Sequence, residues 1–138
     1  MPSWLITQTA TLTNRLVSAA LAEVGATRYH YAVLAALDEF GPTSQAELGR
    51  RCHIDRSDIV ATVNDLVEGR YVERRQDSAD RRQNLITLTN TGQQRLEHIA
   101  SVLDTTQAHL LGDIPKPERE AFVTTLRRIL DHHAGTAQ

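Results

Sequence analysis

Between Thr43 and Val67 lie two short helical patterns separated by only three residues, Cys52-His53-Ile54, and this spacing restricts the possible folds more than any other feature of the sequence. Gly41-Pro42 stops whatever helix precedes them. Thr43 or Ser44 can cap the first pattern, which ends near Arg51 and has Ala46 and Leu48 among its inward candidates. Asp55 caps the second, with Asp58 three residues on, so carboxylates stand where first-turn N–H groups are unpaired and the helix dipole is positive. Ile59, Val63, Leu66 and Val67 recur at offsets of four, seven and eight, the period of one buried helix face. Arg56, Ser57, Val60, Ala61 and Asn64 then point outward. Two short helices on a tight connector form a helix-turn-helix pattern.

The flanks extend this nucleus. Trp4 to Val24 contains neither Gly nor Pro, and Leu5, Leu12, Leu16, Leu21 and Val24 recur at roughly helical spacing, which predicts a first helix ended by Gly25. Thr27 caps a second helix to about Phe40, with Tyr31, Leu34 and Leu37 on one face. Tyr71–Arg75 and Asn84–Thr89 have strand-forming residues on either side of a polar stretch, 76–83, and predict a hairpin with a long charged tip. Thr89 caps a long helix carrying Leu96, Ile99, Leu103 and Leu110, which ends in the Gly112–Pro117 segment. A last helix from about Pro117 has Phe122, Leu126, Ile129 and Leu130 as an apolar stripe. The expected fold is mainly α with a small β-hairpin wing.

Length and composition fit that expectation. At 138 residues with 41% hydrophobic and 23% charged residues, the chain fits one globular domain. The longest apolar run, Tyr31–Leu37, is far shorter than the roughly 20 residues that span a bilayer. No basic residue precedes Arg15 to start a signal peptide, so a cytoplasmic protein without a membrane partner is expected. The single cysteine, Cys52, makes no intramolecular disulfide, and nothing near it has metal-ligand spacing. No glycine-rich phosphate loop, nucleophile elbow or His-Glu-x-x-His pair is present, so neither catalysis nor a cofactor is expected.

A net charge of −2 argues against a nucleic-acid partner on average, but placement matters more than the average. Eight of the 15 Lys and Arg residues (Arg50, Arg51, Arg56, Arg70, Arg74, Arg75, Arg81 and Arg82) fall within one 33-residue stretch, which also carries seven acids. A helix entering the major groove presents its outward N-terminal residues to base edges, while a charged hairpin beside it reaches phosphates or the minor groove. Arg56 can pair bidentately with guanine, Ser57 can contact a base or phosphate, and Arg81 and Arg82 at the hairpin tip supply a second contact. The full candidate set adds Ser44, Gln45, Val60, Ala61 and Asn64 from the two short helices, and Arg74, Arg75 and Asp80 from the hairpin.

Several stretches together resemble the MarR family of bacterial transcriptional regulators. They are Gly25-Ala26-Thr27, Tyr31–Leu37, Ala46-Glu47-Leu48, Asp55-Arg56-Ser57 and Leu66–Val72. The most specific is Glu73–Arg82, with its Asp-Arg-Arg tip, running into the Leu-Thr-x-x-Gly element Leu88-Thr89-Asn90-Thr91-Gly92. The resemblance covers about residues 12 to 130. It implies a single domain over 1–138, with dimerisation helices at 1–26 and 90–138 around a winged helix-turn-helix lobe at about 27–89. It further implies a homodimer on double-stranded, pseudo-palindromic DNA, in which the wing arginine matched by Arg82 enters the minor groove beside Asp80. Arg81 then supports the wing from within. Ala61 stands where many relatives carry arginine, and Asp58 adds a negative charge, so base readout by this helix is expected to be sparse.

The same resemblance implies repression relieved by a small aromatic or phenolic acid bound in a cleft between the dimer helices and the lobe. Arg15 can pair with its carboxylate, and Tyr29, His30 and Tyr31 can provide walls or hydrogen bonds. Tyr31 has burial in the core as an equal reading, and Trp4 reads as an interface or packing residue. Two alternatives stand beside this: redox sensing through Cys52, and a dimeric interaction module that has lost DNA binding. His132-His133 is read as a solvated C-terminus and not a metal site, because adjacent helical histidines diverge.

Overall fold

The computed structural model describes residues 1–134. Six helices and three short strands follow in the order α1 (Pro2–Glu23), α2 (Arg28–Phe40), β1 (Thr43–Ser44), α3 (Gln45–Cys52), α4 (Arg56–Glu68), β2 (Val72–Gln76), β3 (Asn84–Leu88), α5 (Asn90–Leu111) and α6 (Lys116–Ala134). The chain divides into two compact units, 1–106 and 107–138. Among the described residues no helix is long and apolar enough to cross a membrane.

Local chemistry accounts for the helix boundaries in the first unit. Thr27 accepts from the His30 N–H, and His30 Nδ1 in turn accepts from the Thr27 N–H at 3.0 Å, a reciprocal box with histidine in the place usually held by Glu or Gln. Gly41, at φ 78°, closes α2 in a conformation that a side chain would strain. Ser44, not Thr43, caps α3 by accepting from the Glu47 N–H at 3.2 Å. Asp55 occupies the N-cap position of α4, but its carboxylate makes no capping hydrogen bond, contrary to the sequence expectation. It instead borders an open concavity in front of the helix.

Leu34, Leu48, Val63 and Ile86, from α2, α3, α4 and β3, pack into one core with Leu21 of α1 and Ile99 of α5. The expected α4 stripe is borne out for Ile59, Val63 and Leu66, with Val67 partly buried and Thr62 buried beside them. Ala46, expected inward, is exposed, because Leu48 and Gly49 take the buried side of α3. The expected two-stranded hairpin gains a third strand: β1 pairs antiparallel with β3, Thr43 opposite Ile86, giving the order β1-β3-β2.

The Leu-Thr-x-x-Gly element has a mechanical explanation. Thr89 Oγ1 donates to the Arg70 and Tyr71 carbonyls at 2.8 and 3.0 Å, and accepts from the Gly92 N–H at 2.9 Å. A Cβ on Gly92 would overlap the Tyr71 carbonyl oxygen, so only glycine lets the first turn of α5 sit this close. Arg95, one turn further on, donates to the Val24 carbonyl at 2.6 Å and lies over the Tyr71 ring, tying α5 to the end of α1. In the second unit α6 buries no residue, and Phe122, Val123, Leu126, Ile129 and Leu130 are all exposed.

Candidate nucleic-acid interface

α3 ends in a left-handed residue, His53 (φ 55°, ψ 43°), whose N–H reaches back to the Arg50 and Gly49 carbonyls. The chain therefore turns sharply, and the buried Ile54 anchors the turn before α4 begins. This geometry presents the first turns of α4 outward. Arg56, Ser57, Val60, Ala61 and Asn64 are all exposed, as the helical period requires.

Arg56 and Val60 share a concavity of about 810 Å³ with Ser44, Gln45, Arg50 and His53 from α3 and its turn, and with Arg82 of the wing tip and Asn84 at the start of β3. Arg50 and His53 were not among the sequence candidates. Their signal was present: Ala46, Arg50 and His53 fall at offsets of four and seven, one face of α3, and reading Ala46 as inward hid that face. Glu47 accepts from both Arg50 (2.6 Å) and Arg51 (3.2 Å), and these two guanidiniums hold its carboxyl below the usual range.

The wing tip is organised by Asp80. Its carboxylate accepts from the Arg82 side chain (Nε, 3.1 Å) and the Arg82 backbone N–H (3.0 Å), and both contacts hold it below the ordinary carboxylate range. The Asp-x-Arg element is thus a local clamp that fixes the root of an arginine whose side chain is 91% exposed. Arg81 does not brace the wing with its side chain, which is exposed. Its backbone carbonyl does that work, accepting from Gln76 Nε2 at 2.7 Å. Arg75 is exposed and paired with Glu73 at 3.0 Å.

Arg74 differs from its neighbours on β2. It shares the strand face of the buried Val72 and donates from Nη2 to Asn64 Oδ1 (2.6 Å) and Gln45 Oε1 (3.3 Å). Three sequence candidates are thereby joined in one network, and Arg74 is not a free surface cation.

The candidates for effector binding separate. A hollow of about 470 Å³ lies between α1 and the start of α2, lined by Ser18, Leu21, Ala22, Ala26, Thr27, Arg28 and Tyr29. Of the expected residues only Tyr29 lines it. His30 has both ring nitrogens engaged, Nδ1 by the Thr27 N–H and Nε2 by Asp65 of α4 at 3.0 Å, so it is a structural link and not a ligand wall. Tyr31 packs against the core. Arg15 is exposed and precedes Ser18 by three residues, on the same face of α1. The cation that lines the hollow is Arg28, which sequence reasoning passed over because it sits at a helix start with no neighbouring signal.

Cys52 is half-buried, with Sγ 3.6 Å from the Ala32 carbonyl oxygen, and burial pushes its thiol up from the ordinary value. A thiol shifted that way holds less thiolate at neutral pH than a free cysteine. Among the described residues no group of three or more His, Cys, Asp or Glu side chains is placed to hold a metal ion.

Comparison with known proteins agrees with this geometry. The MarR family model matches residues 24–83, from the end of α1 through the wing tip. The chain is 28% identical over 125 residues to the HTH-type transcriptional regulator YwoH of Bacillus subtilis (strain 168), covering 91% of this chain and 90% of that protein. It is 30% identical over 105 residues to the HTH-type transcriptional repressor NicR of Pseudomonas putida, covering 76% of this chain and 66% of NicR. The crystal structure of the transcriptional regulator PcaV from Streptomyces coelicolor superposes with a TM-score of 0.79 at 25% identity, covering 98% of each chain. Matched motif, fold and relatives coincide, and the chain belongs to the MarR family of transcriptional regulators.

Proposed function

We propose that this regulator works as a homodimer on duplex DNA, with α4 entering the major groove and the wing arginine Arg82 reaching the minor groove of the same half-site. One observation carries the reading: Arg56 at the start of α4 and Arg82 at the wing tip border one concavity. Base-edge and backbone contacts are thereby offered on a single face. The dimer is supported by the apolar residues left open at the two chain ends: Trp4, Leu5 and Ile6 on α1, and Phe122, Leu126, Ile129 and Leu130 on α6. In this reading residues 1–26 and 90–138 associate two copies, about 27–89 is the reading lobe, and two-fold symmetry makes the operator pseudo-palindromic.

Repression relieved by a small aromatic acid is the regulatory part of the proposal. NicR is a repressor, and PcaV has been crystallised with its natural ligand. The hollow beside α2 offers Tyr29 as an aromatic wall and Arg28 as a carboxylate partner, and Arg15 lies one turn before Ser18 on α1. A screen of benzoate, salicylate and hydroxypyridine carboxylates for a rise in melting temperature tests it. A binder stabilises the folded dimer by mass action, and the response is expected to be lost in Arg28→Ala and reduced in Arg15→Ala. A compound that releases DNA equally from parent and both variants places the effector elsewhere.

A further inference from the structure

Arg74 is costly where it stands. It points to the buried side of β2, no carboxylate lies within ion-pair distance among the described residues, and its Nε is buried without a partner. A half-buried guanidinium with neutral partners and an orphaned N–H is a poor stability device, because desolvation of the charge is not offset by an opposite one. Its two acceptors are both DNA-facing candidates: Gln45 at the start of α3 and Asn64 in the third turn of α4. A side-chain amide has one oxygen with two lone pairs and one NH2 group with two donors. When Arg74 Nη2 holds both oxygens, the oxygens face Arg74 and the two NH2 groups are left to point away from it.

We propose that Arg74 is a positioning residue for base readout: by holding the carbonyl oxygens of Gln45 and Asn64, it turns the NH2 group of each amide toward DNA. This rests on the reading of α4 as the major-groove helix. It predicts a definite preference. Guanine offers two acceptors on its major-groove edge and adenine and thymine one each, and the bidentate contact of asparagine with adenine needs the amide oxygen to accept from the base. With Asn64 Oδ1 turned to Arg74, the NH2 group and not the oxygen faces the base, and that pattern loses its acceptor. The base read by Asn64 is therefore guanine, whose two acceptors suit two donors, in preference to adenine or thymine.

The test is selection of a randomised duplex pool by the full-length parent and by Asn64→Ala, Arg74→Met and Arg74→Lys, with melting temperature and salt dependence measured on each. The position read by Asn64 is the one whose preference Asn64→Ala abolishes. The expected result is guanine at that position in the parent, and a roughly tenfold loss of that preference in Arg74→Met. Arg74→Lys, which keeps a donor at the end of a long side chain, is expected to recover part of it. The salt slope is expected to match the parent in both Arg74 variants, since Arg74 neutralises no phosphate. Adenine or thymine at the Asn64 position, or an Asn64→Ala selection identical to the parent's, overturns the inference without needing any Arg74 variant to fold. So does an Arg74→Met protein that loses affinity equally for all duplexes with a shallower salt slope, which marks a direct phosphate contact. A parent that enriches no sequence at all instead overturns the DNA reading on which the inference rests.

Discussion

The winged lobe and the terminal helices use similar amphipathic patterns and reach opposite outcomes. In the lobe, Val33, Leu34, Leu48, Val63 and Ile86 have no accessible surface, because α2, α3, α4 and the sheet close on one another. On α1, Trp4, Leu5 and Ile6 are more than half exposed, and on α6 Leu130 remains 69% exposed. Apolar periodicity states that a helix face needs cover and is silent about whether that cover comes from the same chain. The lobe buries its own apolar faces, whereas Trp4, Leu5 and Ile6 of α1 and Leu130 of α6 keep theirs exposed.

That contrast is broken most severely by charging α6. Leu126→Asp with Ile129→Asp is expected to abolish self-association in sedimentation velocity while leaving helix content intact, and to weaken operator binding roughly a hundredfold or more, since two tethered heads become separate ligands. Retention of the parent oligomer would move the association surface off α6. Leu34→Ala acts on the closed side of the comparison and is expected to cost about 2–5 kcal/mol in denaturant unfolding. A melting temperature that varies with protein concentration in the parent but not in the α6 variant sharpens the same distinction.

Smaller effects are expected inside the lobe. Cys52→Ala is expected to leave DNA affinity within about twofold of the parent, and Cys52 to alkylate more slowly than free cysteine at neutral pH, because burial keeps it protonated. Rapid alkylation together with loss of DNA binding on peroxide treatment would restore the redox reading. The smallest expected effect lies at the wing tip. Asp80 is held low chiefly by the Arg82 side chain, so the clamp is complete above the ordinary carboxylate range and is lost only as pH falls through the lower folded value. The Arg82 amide resonance is expected to shift at a pH below that of a free aspartate, and a midpoint at the free value would mean that the clamp does not form in solution.

Much of the lobe was legible from residue types because its signals are local. Thr27, Ser44 and Gly41 mark helix ends, and the four-seven spacing of α4 sorted its faces correctly. What escaped depends on contacts distant in sequence. The two residues of β1 have no period of their own and become a strand only because Ile86, far along the chain, pairs with Thr43. Arg74 reads as one more cation in an arginine-rich run, and only the fold places Asn64 and Gln45 against it. His30 reads as an aromatic near a cleft until the fold brings Asp65 to its free nitrogen. The Asp-Arg-Arg tip was recognisable as a motif, but the division of labour between a side-chain clamp by Asp80 and a backbone brace by Arg81 depends on the hairpin's closure.

The central claim is that α4 and the wing meet duplex DNA together. Fluorescence anisotropy of the purified chain with a duplex from its own promoter region, titrated across a salt series, tests this most directly. A linear fall of log affinity with log salt is expected, and for Arg82→Ala a slope shallower by about one unit per subunit bound. A folded, self-associated chain that forms no complex at the lowest salt would contradict it and would leave an interaction module in a regulator's fold.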